Sequence, residues 1–275
     1  DLRFAPEDQK FADEFRAFLD ANLPVEKQIG DEAAPEPDPE FQKEFLKVMG
    51  KHGWLVPAWP VEYGGRGATF MQQLIFHEIV GYYRAPMSIA INTIQLLGPT
   101  LILYGTDEQK AQHLPPIARG EIWWAQGFSE PGAGSDLASL ETKAEIDGDD
   151  FVINGSKIWT SEGHHCQWAF IICRTDPNAP KHRGISFILA DMSSPGFHLR
   201  PLMDMTDRHY FNQIYFENLR VPKKNLVGEL NRGWYVAMAL LDLERSGVDR
   251  VGNLLRFVDE IIAYTTTETR DGKPL

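Results

Sequence analysis

Three short stretches carry residue types that could do chemistry. The first, WAQGFSEPGAGSDLAS (124–139), begins as an apolar strand and breaks at Ser129-Glu130-Pro131 into Gly132-Ala133-Gly134-Ser135-Asp136. Glycine frees the backbone and lets bare N–H groups approach a ligand, while proline fixes one torsion and removes one donor. The stretch therefore reads as a strand feeding a shaped loop. Backbone N–H groups around Gly132 to Ser135 can form an anion-binding concavity, to which the Ser135 hydroxyl adds a donor. The second stretch, NGSKIWTSEG (154–163), follows a planar Trp159 with the hydroxyls of Thr160 and Ser161. The third, LDLER (241–245), sets Asp242 and Glu244 beside Arg245, whose guanidinium offers a fixed charge and a fork of donors. Each has an ordinary explanation when taken singly. A GAGSD loop is a turn in most proteins, a tryptophan in an apolar strand is usually core, and Arg245 can pair with Asp242 or Asp249 on a helix surface.

The elements that must position these stretches change period along the chain. Phe11, Phe15, Phe18, Leu19 and Ala21 recur at helical spacing after Ala5-Pro6-Glu7, and a second helix carries Phe41, Phe45, Leu46 and Met49 beyond the Pro- and acid-rich break DEAAPEPDPE (31–40). PAWPVEYGGRGA (57–68) reads as an ordered loop, and its Gly64-Gly65-Arg66-Gly67 as structural. Helical patterns resume over 70–84 and 88–104, and Thr106 with Gln109 has capping-box spacing. From about 121 to 222 the runs FVIN, WAFIIC, GISFILA and QIYFEN are short and rich in β-formers, with Asp147-Gly148 and Asn154-Gly155 as hairpin-type turns. Six or seven strands with no helix between them predict a barrel or sandwich, and exclude the doubly wound dinucleotide fold. Helical spacing returns at Val236, Ala237, Leu240, Leu241 and Leu243 and continues through Ile262.

The expected class is α+β: an N-terminal helical domain (1–120), a central β-barrel domain (121–230) and the beginning of a C-terminal helical bundle (231–275), with a further helical segment expected beyond it. The 275 residues carry 27 Lys and Arg against 39 Asp and Glu, a net charge of −12, which argues against a nucleic-acid surface. No apolar run approaches a membrane span. Cys166 and Cys173 sit in CQWAFIIC as inert thiols of a reducing compartment, the acidic N-terminus shows no export signal, and the absence of an initial methionine points to trimming. A cytoplasmic protein is expected. His164-His165 lacks a third ligand at metal spacing and reads as a solvated turn, and His77 and His113 read as structural, so no metal is expected.

GFSEPGAGSDLAS (127–139), NGSKIWTSEG (154–163), FENLRVPKKNLVGELNRGW (216–234) and LDLER (241–245), in this order and spacing, resemble the flavin-dependent acyl-CoA dehydrogenase family. The resemblance runs from about residue 5 to the end. It implies FAD lined by Gln126, Phe128, Ser129, Gly134, Ser135, Trp159, Thr160 and Ser161, where Ser161 stands in place of the family's more frequent threonine. Phe128 can equally be core, touching the flavin through backbone alone. Ser135, Asp242 and Arg245 match positions that bind the CoA moiety, and Glu244 matches the catalytic glutamate of the isovaleryl and long-chain members. Other members place the base in a later helix, and there Glu244 would be a salt-bridged helix glutamate.

The implied reaction is α,β-dehydrogenation of an acyl-CoA thioester to the trans-2-enoyl-CoA, with electrons passed to an electron-transfer flavoprotein. GWLVPAWPVEYGGRG and Gly247 resemble members that take bulky, branched or steroid side-chain acyl groups. Two alternatives stand beside it: an oxygen-using oxidase or monooxygenase on the same scaffold, and a non-catalytic subunit of a heteromeric dehydrogenase. A homo- or hetero-oligomer, dimer or tetramer, is expected.

Overall fold

The computed structural model describes residues 4–28, 38–244, 248–270 and 273–274. The helices are α1 (Pro6–Asn22), α2 (Pro39–Lys51), α3 (Phe70–Tyr82), α4 (Ser88–Ile91), α5 (Gly98–Tyr104), α6 (Asp107–Ala118), α7 (Gly233–Glu244) and α8 (Val248–Thr267). The strands are β1 (Trp124–Gly127), β2 (Lys143–Asp147), β3 (Asp150–Ser161), β4 (Trp168–Arg174), β5 (Ile185–Asp191), β6 (Phe197–Leu202), β7 (Phe211–Pro222), β8 (Leu226–Val227), β9 (Thr269–Arg270) and β10 (Lys273–Pro274). Two compact units result, Asp1–Met87 with Ser246–Leu275, and Ser88–Arg245. No helix among the described residues is long and apolar enough to cross a membrane.

The first unit is helical because its apolar residues repeat at helical spacing. Phe11, Phe15, Phe18 and Leu19 form the buried face of α1, which starts at Pro6 with Glu7 and Asp8 in its first turn. Phe15 stacks on Phe76 of α3 with ring centroids 4.7 Å apart. Full burial of one such side chain contributes about 1.5–3 kcal/mol. The 57–68 loop is ordered as expected: Arg66 lies 3.6 Å over the Trp54 ring and donates to the carbonyls of His52 and Gly53, which fixes a structural role for the Gly-rich run. Helix α8 crosses α3 and leaves Leu254, Phe257, Val258, Ile261 and Ile262 about half exposed.

In the second unit the 88–104 helix is interrupted by a π-helical segment at Asn92–Leu97, just before Pro99. Proline lacks the N–H and clashes with the carbonyl four residues back, and a wider turn relieves both. Thr106 and Gln109 form the expected capping box on α6. The sheet has eight strands in the order β6-β7-β3-β2-β4-β5-β8, with β1 paired to β4. This hydrogen-bonded path does not close into a ring. Contact between β5 and β7 nonetheless curls the sheet, and Phe151, Ile153, Ile171, Ile188, Ile214 and Phe216 meet in one core.

Asp147-Gly148 turns β2 into β3 as expected. Asn154-Gly155 does not make a hairpin. It lies inside β3, where pairing with β7 shifts register between Ile153 and Gly155. Gly155 has φ +144°, and a Cβ there would sit 2.6 Å from Thr142 Oγ1. The glycine serves a bulge and a close approach, two demands that look like a turn in a linear sequence.

Candidate functional site

The 129–136 loop and the end of β3 are held side by side. The Ile158 N–H donates to the Ser129 carbonyl at 2.8 Å, and Thr160 Oγ1 donates to the Gln126 carbonyl at 3.2 Å. These bonds bring together Gln126, Ser129, Trp159, Thr160 and Ser161. Between Lys157 and Thr160 the β3–β7 register slips again, and Trp159 occupies this bulge at φ +64° with 58% of its surface exposed. A non-glycine residue in the left-handed region costs on the order of 1–3 kcal/mol. A large aromatic side chain held outward at that cost is a ready-made wall for a flat ligand. Its edge contact to Phe211, at 5.6 Å between centroids, steadies the ring.

The loop beside it is open. Gly134, Ser135 and Asp136 are exposed. A Cβ built on Gly132 or Gly134 meets nothing within 4 Å, and neither glycine has a positive φ. The chain's own packing therefore does not require glycine at either position, whereas a ligand approaching the backbone closely would. Not every N–H faces outward: Ala133 N–H donates to the Glu130 carbonyl at 3.0 Å, so the concavity draws on its neighbours. Asp136 is engaged by Lys181, which offsets its charge at the loop's edge. These features fit the pyrophosphate and ring of a flavin dinucleotide.

Beneath the loop lies a pair that the linear pattern did not single out. Lys157 Nζ is 2.8 Å from Glu130 Oε1 and 3.0 Å from the Phe128 carbonyl, with none of its side chain exposed. The Glu130 carboxylate also accepts from the Glu141 and Thr142 N–H groups. Burial pushes the Glu130 pKa up, but the Lys157 charge and these bonds outweigh it and leave the group below the usual range, and therefore ionised. Burial likewise draws the Lys157 ammonium below the usual lysine range, with Glu130 opposing. The signal in the sequence is a lysine in phase with the inward-facing Phe151 and Ile153 of β3.

Phe128 turns its ring into the core, edge-on to Phe170 and Phe187 at 5.8 and 6.0 Å, so only its backbone faces the loop. Burial raises the Cys173 thiol to about 12, an inert group. Cys166 is only partly buried and lines an open cleft of about 550 Å³ with His164, Trp168, Asp191 and Phe197, a cleft containing none of the nominated site residues. The reading of His164-His165 as lacking a third ligand is corrected: Glu162 brings a third group, with the ligand atoms of all three within 4.8 Å, and Asn212 Nδ2 donates to His164 Nδ1 at 3.2 Å. The turn is a hydrogen-bonded network. His113 packs edge-on to Trp124 and Trp168 at 5.0 and 5.1 Å, a structural position, and burial lowers its pKa to about 4.

Helix α7 reaches the same region through Trp234, 5.0 Å from His182, which follows the Lys181 that holds Asp136. Val236, Ala237 and Leu240 bury its inner face, and Asp242 is exposed. Glu244 is the last residue of α7, but its side chain and all of Arg245 and Gly247 lie outside the described residues.

Comparison with known proteins decides the family. The acyl-CoA dehydrogenase N-terminal domain matches residues 5–121 and the middle domain residues 125–219. The chain belongs to the acyl-CoA dehydrogenase family. It is 37% identical over 257 residues to the acyl-CoA dehydrogenase IpdE1 of Mycobacterium tuberculosis, covering 92% of this chain and 66% of that protein. It thus spans just under two thirds of that relative's length. Among solved structures, the Tcur3481-Tcur3483 steroid ACAD superposes with a TM-score of 0.83 at 37% identity, over 96% of this chain and 68% of that one. The ChsE4-ChsE5 complex from Mycobacterium tuberculosis gives 0.87 at 35% identity, over 100% and 69%.

Proposed function

We propose that this chain provides the flavin-binding part of an acyl-CoA dehydrogenase acting on a bulky acyl thioester of the steroid side-chain type. The observation that carries the reading is Trp159, exposed at a left-handed backbone position beside Ser129, Ser161 and the open Gly132–Ser135 cradle. In this reading Gln126, Ser129, Ser161 and the Phe128 backbone would hold the ring edge, Trp159 would pack against the ring system, and Gly134 and Ser135 would donate to the pyrophosphate. Thr160, only 1% exposed, acts through its bond to the Gln126 carbonyl.

FAD, when bound, supplies the acceptor for the hydride that leaves Cβ of the acyl group. The protein's part is the proton. Glu244 takes the α proton, which becomes acidic enough only where hydrogen bonds polarise the thioester carbonyl away from water. Asp242, Arg245 and Ser135 hold the CoA moiety. The partner proposed to accept the electrons is an electron-transfer flavoprotein. The steroid assignment is supported by likeness to the Tcur3481-Tcur3483 steroid ACAD, and its two-component name together with the ChsE4-ChsE5 complex supports a heteromeric assembly. The three domains proposed are 1–120, 121–230 and 231–275.

That heteromer likeness also favours one second reading, a subunit that builds the assembly without turning over. Anaerobic mixing of the full-length, FAD-reconstituted protein with acyl-CoAs of graded size separates the two. Bleaching of the flavin by bulky acyl-CoAs, abolished by Glu244→Gln, supports the enzyme. No bleaching with any of them supports the silent subunit. Faster reoxidation by air than by an electron-transfer flavoprotein would instead indicate an oxidase.

A further inference from the structure

We infer that Asn212 is a positioning residue for the flavin-facing turn, an inference that rests on the flavin reading above. Asn212 is completely buried, and its side chain sits in a set of hydrogen bonds with only one consistent arrangement. Nδ2 donates to the Thr160 carbonyl at 3.1 Å, which fixes the orientation of the amide because a carbonyl can only accept. The second Nδ2 hydrogen then goes to His164 Nδ1 at 3.2 Å, and Oδ1 takes a hydrogen from His209 Nε2 at 2.8 Å. His164 and His209 stack with centroids 3.9 Å apart, so the two rings that clamp the amide also brace each other.

What the network holds is one peptide plane. The β3–β7 pairing slips at Ile158 and Trp159 and resumes at Thr160, directly opposite Asn212. At a bulge the ladder is disrupted and the strand twist increases, so regular pairing alone does not fix the direction of the next peptide. In a trans peptide the Thr160 carbonyl and the Ser161 N–H are opposite ends of one plane. Holding the carbonyl therefore aims the Ser161 N–H and sets where the Ser161 hydroxyl begins. The anchor upstream is the Ile158 N–H on the Ser129 carbonyl, and Asn212 is the anchor downstream, with Trp159 between them. Neither Ile158 nor Asn212 is itself placed against the ring. Both determine the angle at which Trp159 and Ser161 meet it.

The molecule contains its own control. At the earlier register shift Asn154 makes an amide clasp with Asn218 across the same two strands. Asn212→Ala, Asn212→Asp and Asn154→Ala in the full-length assembled protein should separate positioning from simple strand clasping. Both Asn212 variants should raise the FAD dissociation constant about tenfold, the size of one well-made hydrogen bond, and blur the resolved visible band of the bound flavin. Asn154→Ala should lower the unfolding temperature and leave both flavin readouts unchanged. Asn212 variants that lose stability but bind FAD with unchanged affinity and spectrum overturn the inference. If neither variant folds, amide exchange in the wild type decides, because bound FAD must slow exchange at Ser161, and unchanged exchange there refutes the proposal. A wild-type protein that takes up no FAD is a different failure, seen before any variant is made, and removes the flavin reading itself.

Discussion

Gly81 of α3 and Gly252 of α8 mark a crossing at which two helices meet backbone to backbone. A Cβ on Gly81 would lie 1.8 Å from the Asp249 carbonyl oxygen, and one on Gly252 2.0 Å from that of Glu78. Glycine inside a helix costs about 1 kcal/mol relative to alanine, so its presence at both positions reflects the approach rather than helix formation. Gly252→Ala should therefore destabilise the protein by roughly 1–3 kcal/mol despite its better helix propensity. A urea midpoint equal to or above that of wild type would show that the helices can separate freely.

Lys157 and Glu130 should behave as one unit. Lys157→Met leaves the Glu130 carboxylate under cover with two backbone donors and only the unbonded charge of Arg174 for attraction, a change expected to cost about 3–5 kcal/mol. Adding Glu130→Gln should restore part of that loss, giving a strongly non-additive double-mutant cycle in chemical denaturation. Additive losses would mean that the two side chains act independently.

Trp159→Gly should move stability and cofactor affinity in opposite directions. Removing a side chain from a left-handed position relieves about 1 kcal/mol or more of backbone strain, while a side chain 58% exposed gives up little burial. The flavin-free protein should melt no lower than wild type. FAD affinity should fall by at least tenfold, read by titration of flavin fluorescence. Unchanged affinity would remove Trp159 from the flavin wall.

His113 predicts an acid-sensitive core. Its folded pKa of about 4 lies below the unfolded value near 6.5, so the unfolded chain takes up the proton first as pH falls. The stability held above about pH 6.5 is progressively lost down to about pH 4, by up to about 3 kcal/mol from this group. His113→Phe should flatten the stability profile across that window, and a profile as steep as that of wild type would assign the loss to other groups.

Much of this was legible where a local rule suffices. The Thr106–Gln109 capping box and the Asp147-Gly148 turn each depend on residues a few positions apart, and both formed as read. Asn154-Gly155 reads as a hairpin turn but forms a bulge, because one dipeptide serves both equally well and only pairing with β7 distinguishes them. Ser129, Trp159 and Ser161 stand out from their motifs, but the strain at Trp159 depends on the register slip and is invisible in composition. The roles of Glu130 and Asn212 are hidden in the sequence for a different reason. Lys157 is 27 positions from Glu130, and Thr160 is 52 positions from Asn212, so neither bond leaves a mark in local spacing.

The 129–136 loop is moored at two places that will answer differently to dissolved salt. At its outer edge Asp136 and Lys181 have side chains 61% and 49% exposed, where counter-ions within a Debye length of about 10 Å at 0.1 M weaken their attraction. At its root Lys157 and Glu130 are shut away from mobile ions. Concentrated brine should thus slacken the rim while the root stays fast, so that the loop swings from its base rather than peeling off the sheet.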